Sequence, residues 1–354
     1  MQTKLIQTLP ANPLDVVGDV HGEMDALDAL LRQLGYDDQG HHPDDRKLVF
    51  LGDLCDRGPN SPEVLTRVQS LVEAGNAYAI LGNHELNLLR GDAKDGSGWF
   101  FDSRLERDAR YQPFVRPNAE QRKKIVTFLD TLPLVLERSD LRIVHAAWVQ
   151  KDIDFLRTIS GQTANSLYVQ LESELHAHLQ DNGCYQKYQK ALAMHAETLE
   201  SEHCNMPFLD AICDYDEACQ RGNLVKVLTS GVERRASAPF FSSHKWRFVE
   251  RVGWWNEYVD EVPVLVGHYW RQLKHSDRTA VGKGDKNLFA GVGPVEWHGK
   301  RSNVFCLDYS VGGRWRERQD GKVVGSLFKL GAMRWPEQEL VFDTGERFSA
   351  VRNQ

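Results

Sequence analysis

The sequence predicts an α/β protein built around a parallel sheet. Three short apolar runs rich in β-formers, Leu14 to Val17, Lys47 to Leu51 and Ala77 to Leu81, read as buried strands. Two amphipathic helical stretches separate them. Each run ends at a glycine followed by polar side chains: GDVHG from Gly18 to Gly22, GDLCDRGP from Gly52 to Pro59, and GNHE from Gly82 to Glu85. Strand, helix, strand, helix, strand is a pair of βαβ units, which implies parallel strands and right-handed crossovers.

The elements follow in order. After GDVHG, Met24, Leu27, Leu30, Leu31 and Leu34 recur at helical spacing, with Gly35 as C-cap. The polar loop DDQGHHPDDRK leads into the Lys47 strand. In the next helix Ser61 reads as N-cap and Pro62 as its first residue; Val64, Leu65, Val68, Leu71 and Val72 share one face, and Gly75 ends it. Beyond GNHE come the loop GDAKDGSG and an aromatic cluster, Trp99, Phe100 and Phe101. Asn118 caps a helix carrying Ile125, Phe128, Leu129 and Leu132. Leu134 to Leu136 and Leu141 to Val144 read as strands, the second ending at His145. Residues 153–220 are helical in pattern and net acidic, and read as an inserted cap. Strand signals return at Leu224 to Leu228, Val262 to Val266 (ending in Gly267-His268) and Asn303 to Leu307 (ending in Asp308). Val323 to Leu327 and Glu339 to Phe342 read as antiparallel strands in the tail.

Composition narrows the function classes. The 354 residues carry a net charge of −7, with 41% hydrophobic and 26% charged residues. The isoelectric point near 6.0 leaves no electrostatic footprint for a nucleic-acid duplex or an anionic membrane. No apolar run reaches the ~18 residues of a membrane span, and the first twenty residues lack a signal-peptide pattern. Six cysteines without CxxC spacing suit reduced thiols and a cytoplasmic protein. Length alone suggests about two domains.

Six residues at strand ends share one chemistry: Asp19, His21, Asp53, Asn83, His145 and His268. Carboxylate, imidazole and amide oxygen without thiolate suit hard-to-borderline divalent ions such as Mn²⁺, Fe²⁺ or Zn²⁺. A carboxylate can bridge two ions, and Asp53, central in the order, is the natural bridge. Taken singly, GDVHG is also a turn with a capping Asp, and His145 a satisfied core histidine. Three such motifs at strand ends within 70 residues, with two later histidines closing apolar strands, outweigh those readings.

GDVHG, GDLCDRG, GNHE, the histidine of RIVHAA and that of LVGHYW together resemble the phosphoprotein phosphatase type of calcineurin-like metallophosphoesterases. The resemblance runs from Asp19 to about Asp308. It implies a single domain over residues 1–354, a sandwich of two mixed β-sheets flanked by helices, with the helical insertion at about 153–220. It implies two divalent ions per chain, Mn²⁺ first, with Fe or Zn²⁺ as alternatives. Asp19, His21 and Asp53 would hold one; Asp53, Asn83, His145 and His268 the other. His84 would be the general acid, oriented by Asp56, and Arg57 would bind phosphate, giving hydrolysis by in-line attack of a metal-bridging water. Arg57 has a second reading, a surface ion pair with Asp56.

The C-terminal half, in NLVKVLTSGVERR, LVGHYWRQL and FCLDYSVGGRWRERQDG, looks more like the symmetrical diadenosine tetraphosphate hydrolase branch. A further phosphate-binding arginine is expected among Arg234, Arg235, Arg247 and Arg251, with Arg251 preferred. Trp254, Trp255, Tyr269 and Trp270 read as core first and as a base-stacking surface second. Cys55 reads as a buried, inert thiol. The cap favours a small phosphorylated substrate or a phosphopeptide over a folded phosphoprotein. The alternatives are a Ser/Thr phosphoprotein phosphatase and a catalytically silent phosphate-binding module.

Overall fold

The computed structural model describes residues 4–242, 245–274 and 287–352. In chain order the first half runs β1 (Ile6–Thr8), β2 (Leu14–Val17), α1 (Met24–Leu34), β3 (Lys47–Phe50), α2 (Ser61–Glu73), β4 (Ala77–Ala79), α3 (Asn83–Leu89), α4 (Ala119–Leu129), β5 (Val135–Arg138) and β6 (Leu141–Val144). Then come α5 (Gln150–Thr158), α6 (Ala164–Asp181), α7 (Cys184–Met194), α8 (Asp210–Arg221), α9 (Leu224–Ser230), β7 (Glu233–Ser242) and β8 (Lys245–Arg251). The chain closes with β9 (Val264–Val266), β10 (Val304–Cys306), α10 (Arg314–Gln319), β11 (Gly331–Trp335), β12 (Glu339–Phe342) and β13 (Arg347–Ser349).

Two mixed sheets face each other, in the orders β1-β5-β6-β9-β10 and β13-β12-β11-β2-β3-β4. Side-chain alternation along the strands builds the sandwich. Val16, Val49, Ile143, Leu265 and Phe305 meet in one cluster drawn from both sheets. Their neighbours Val17, Phe50, Val144, Val266 and Cys306 point the other way, into the cluster shared with the helices. The C-terminal ends of parallel β2, β3 and β4 therefore lie opposite those of parallel β6, β9 and β10. Every residue expected to hold metal follows one of these strands.

The predicted α1 and its Gly35 cap stand, Gly35 at φ 96°. The cap of α2 shifts by one: Asn60, not Ser61, accepts the Glu63 N–H through its side chain. Asn118 caps α4 as expected, in a reciprocal bond with Gln121.

Two expected strands do not form. Leu224 to Leu228 is helix α9, because its apolar residues fall at i, i+1, i+3 and i+4 and Asn223 caps it. Val323 to Leu327 is irregular, with Val323 79% exposed. There Glu317 accepts the N–H groups of Gly325 and Leu327, donors that a ladder would need. The β7–β8 hairpin was not expected. Charged Arg234 and Arg235 and Pro239 hide its alternation, and its register shifts between Arg235 and Phe240.

The inserted segment divides between two cores. Ile153, Leu156, Leu167 and Tyr168, from α5 and α6, belong to the main cluster. Leu199, Met206, Ile212, Cys213, Phe248 and Val249 form a small core of their own, which ties α8 to β8.

Candidate metal centre

Sheet ends deliver nine of the ten sequence-predicted site residues to one buried place. Asp19, His21, Asp53, Asp56, His84, His145 and His268 are all at most 9% exposed. His21, Asp53 and His84 each bring a donor atom within 4.8 Å of the others, as do Asp53, His145 and His268. Asp53 is common to both groups. Asp19 closes the site from the opposite side, its carboxylate accepting the His268 backbone N–H at 3.0 Å. The Asn83 amide oxygen lies 2.8 Å from His268 Nδ1.

Outer hydrogen bonds fix which nitrogen of each ring faces inward. His145 Nδ1 donates to Leu51 O at 2.6 Å, and His21 Nδ1 to Cys55 O at 3.0 Å. That leaves each Nε2, rather than Nδ1, as the nitrogen available to a metal ion. Nε2 of His145 and of His268 are buried without a hydrogen-bond partner. His145 Nε2 stands 3.3 Å from Asp53 Oδ1, outside hydrogen-bonding geometry. Two orphaned imidazole nitrogens beside paired carboxylates are a costly arrangement unless a cation completes it. Burial, and next the Asp308 charge, push Asp19 well above the usual carboxylate range. Burial opposes ionisation of Asp53 too, but the charges of His145 and His84 carry its pKa well below the ordinary value. The donor set fits divalent metal ions.

Backbone strain gathers here. Among the described residues nine non-glycine residues have positive φ, and His21, Asp53, Asp56, Arg57 and His268 are five of them. Each costs about 1–3 kcal/mol, so the surrounding fold holds the side chains in place. Two glycines keep the carboxylates' space. A Cβ on Gly82 would fall 2.2 Å from Asp53 Oδ1, and one on Gly267 2.0 Å from Asp19 Oδ1.

Sequence reasoning missed Glu85. Fully buried, its carboxylate accepts the N–H groups of Asp53 (2.8 Å), Leu54 (2.8 Å), Cys55 (3.2 Å) and Gly82 (3.0 Å). It thereby ties the Asp53 loop to the start of α3. Its place in GNHE, three residues after Gly82, was the available signal: an N3 glutamate commonly reaches back to the cap. Cys55 Sγ also meets Glu85, and burial pushes its thiol well up, as suits an inert cysteine.

His84 Nδ1 lies 2.6 Å from Asp56 Oδ2, while Trp99 Nε1 donates to Asp56 Oδ1 at 2.6 Å. Burial opposes protonation of His84, yet Asp53 and the Asp56 bond leave its pKa raised. Arg57 makes no ion pair with Asp56. Its guanidinium donates instead to His21 Nε2 (3.0 Å) and His84 Nε2 (3.1 Å). Of the four later arginines, Arg234 pairs with Glu250, and Arg235 with Asp210 and Asp214. Arg247 acts on Glu233 and Asp216. Arg251, ending β8, is the one whose charge bears on His268, helping burial to hold that imidazole well below its ordinary pKa. Trp254, Trp255 and Tyr269 are buried core residues, Trp254 donating to Ala146 O.

Facing parallel strand ends around a carboxylate–imidazole donor cluster fit a metallophosphoesterase. The chain belongs to the calcineurin-like phosphoesterase family, whose model matches residues 13–212. Among curated relatives, a bis(5'-nucleosyl)-tetraphosphatase PrpE (asymmetrical) of Geobacillus sp. (strain WCH70) is 37% identical over 147 residues, which cover 38% of this chain and 56% of the relative. The protein of that name from Halalkalibacterium halodurans is 47% identical over 79 residues, 22% of this chain and 32% of the relative. The chain thus spans between about a third and just over half of these relatives. A solved cold-active protein-tyrosine phosphatase of a psychrophilic Shewanella sp. aligns with 98% of this chain and 82% of its own, at 15% identity and a TM-score of 0.47.

Proposed function

We propose that the protein is a metal-dependent phosphohydrolase that holds two divalent ions about Asp53 and cleaves a phosphate ester or anhydride of a small or nucleotide substrate. The observation that carries this reading is the convergence of Asp19, His21, Asp53, Asn83, His145 and His268, with the orphaned Nε2 atoms of His145 and His268 turned inward. Asp19, His21 and Asp53 would hold one ion, and Asp53, Asn83, His145 and His268 the other. Mn²⁺ is the first choice for this donor set, then Fe or Zn²⁺. Bound divalent ions supply Lewis-acid polarisation of the phosphoryl oxygens.

The chain's own residues do the rest. Arg57, helped by Arg251, complements the phosphate oxygens as charge shifts in the transition state. A phosphate that takes the Arg57 N–H groups frees both His21 Nε2 and His84 Nε2. His84, with Nδ1 held by Asp56 and its pKa raised, takes up a proton at the freed Nε2, presents it to the leaving oxygen and delivers it there. Trp99 and the Ser61 hydroxyl, which accepts the Asp56 N–H, keep that carboxylate from turning away.

The names of the curated relatives support a nucleotide substrate. A Ser/Thr phosphoprotein phosphatase is the second reading, favoured by the complete Asp56–Arg57 pair and by GNHE. The six unpaired cysteines support a cytoplasmic location. Among the described residues no helix is long and apolar enough to cross a membrane.

The test is a substrate panel on Mn²⁺-loaded protein: diadenosine tetraphosphate, p-nitrophenyl phosphate, a phosphodiester, a phosphopeptide and a folded phosphoprotein. Highest kcat/KM on the dinucleotide or another small phosphate is expected. Preference for the folded phosphoprotein would replace this reading with the second one.

A further inference from the structure

Beside Arg57 lies a basic cluster that the proposed chemistry does not use. Gly96 O accepts the Arg57 backbone N–H at 3.1 Å, and the neighbouring Asp95 carboxylate accepts from Arg110 (2.6 Å) and Tyr111 (2.7 Å). The Tyr111 ring meets Trp315 edge-on at 5.1 Å, and the Arg110 and Arg316 guanidinium groups stand 5.5 and 5.1 Å from the Trp315 ring centre. Just before Trp315, Gly312 backs the His21 ring so closely that a Cβ there would fall 2.6 Å from it. The cluster is therefore continuous with the metal centre on the Arg57 side.

Its charges do not balance. Among the described residues neither Arg57 nor Arg316 has a carboxylate within ion-pair distance, and Asp95 serves Arg110. Arg104 also reaches Asp95, at 3.2 Å, but its closer partner is Asp108. Asp320 acts on Arg316 only at longer range and is itself paired with Lys322. Of the three guanidinium groups of Arg57, Arg110 and Arg316, only that of Arg110 thus has a close carboxylate, which Arg104 also reaches. Burial, helped by the charges of Arg110 and Arg57 and opposed by Tyr111, holds Arg316 below its ordinary range. Partly buried like charges of this kind are stabilised by an anion with several oxygens.

We infer that Arg316 and Arg110 form a subsite for a second phosphoryl group, linked to the one held at Arg57, so that the site takes substrates with two or more joined phosphoryl groups. The inference rests on the proposed phosphohydrolase reading and narrows its substrate class. Nucleoside polyphosphates and inorganic pyrophosphate share this chemistry.

The test compares wild type, Arg316→Ala and Arg316→Lys, all full-length and Mn²⁺-loaded, on diadenosine tetraphosphate, pyrophosphate and p-nitrophenyl phosphate. Arg316→Ala should lower kcat/KM for both polyphosphorylated substrates about 10-fold or more beyond any change on the monoester, mainly through KM; that is the size of one lost charged hydrogen bond. Arg316→Lys should recover part of the loss. Equal change on all three substrates would overturn the subsite, and a loss confined to the dinucleotide would reassign it to the nucleoside. If wild type turns over none of them, the phosphohydrolase reading fails on its own. The subsite is then judged by calorimetric Kd values of the metal-free protein for pyrophosphate and orthophosphate. Tighter pyrophosphate binding that Arg316→Ala abolishes supports it; equal Kd values overturn it.

Discussion

The strand-end loops between Leu14 and Leu89 and the inserted segment between Gln150 and Arg251 are built on opposite terms. In the first region short strands buried on both faces fix where the site side chains stand. Gly82 leaves no room even for a methyl group beside Asp53, and Gly267, from the facing sheet, leaves none beside Asp19. In the second region helices and a hairpin rest partly on the main core and partly on a small core of their own. The first region carries donors whose exchange should abolish chemistry. The second, Arg251 apart, is proposed to frame access, so its changes should alter which substrates enter.

Asp53→Asn should give the largest effect, because it removes the charge shared by both donor groups. Turnover is expected to fall by several decades, measured as kcat on p-nitrophenyl phosphate with saturating Mn²⁺. Near-normal turnover would break the comparison at its root.

His84→Asn should leave the metals bound and lower kcat by about 10²–10⁴-fold, the usual size of a general-acid contribution. The loss should shrink on p-nitrophenyl phosphate, whose leaving group needs little protonation. His84 also lies among the donors around Asp53. Equal losses on good and poor leaving groups, or loss of metal, would assign it there instead.

Glu85→Gln sharpens the contrast between ligand and support. The amide keeps one acceptor oxygen where the carboxylate offered two to four backbone N–H groups. Metal affinity should weaken about 10–100-fold, the usual effect of an outer-shell partner, and activity should return at high Mn²⁺. No change in affinity would show that Asp53 is held without Glu85.

The sequence announced these two regions unequally. GDVHG, GDLCDRG and GNHE were legible because each motif follows a strand that its own residues specify. His145 and His268 were legible for the same reason. Glu85 stands within GNHE without a legible role, since its four partners come from two loops that only the fold brings together. The Leu224 segment misled because a short apolar run fits strand and helix alike until its cap is recognised. The boundary at 220 hid a dependence: deleting residues 153–220 would remove Ile153, Leu156, Leu167 and Tyr168 from the main core. It would also uncover Phe248 on β8.

The smallest effect on catalysis should come from Phe248→Ala, which empties the insertion's own core. About 3–5 kcal/mol of local stability should be lost, visible as faster hydrogen exchange in α8 and β8. Metal content should be unchanged and kcat on p-nitrophenyl phosphate should stay within about threefold, since Phe248 packs in the insertion's small core and not in the main cluster, and loss of stability there stays local. Metal loss in this variant would show that the two regions are not separable.

The central claim is an Asp53-centred pair of ions. Elemental analysis of wild type and Asp53→Asn, after loading with Mn²⁺ and removal of excess metal, tests it most directly. Two ions per wild-type chain, and at most one per variant chain, is the predicted result. One ion per wild-type chain, or two retained in Asp53→Asn, would contradict it.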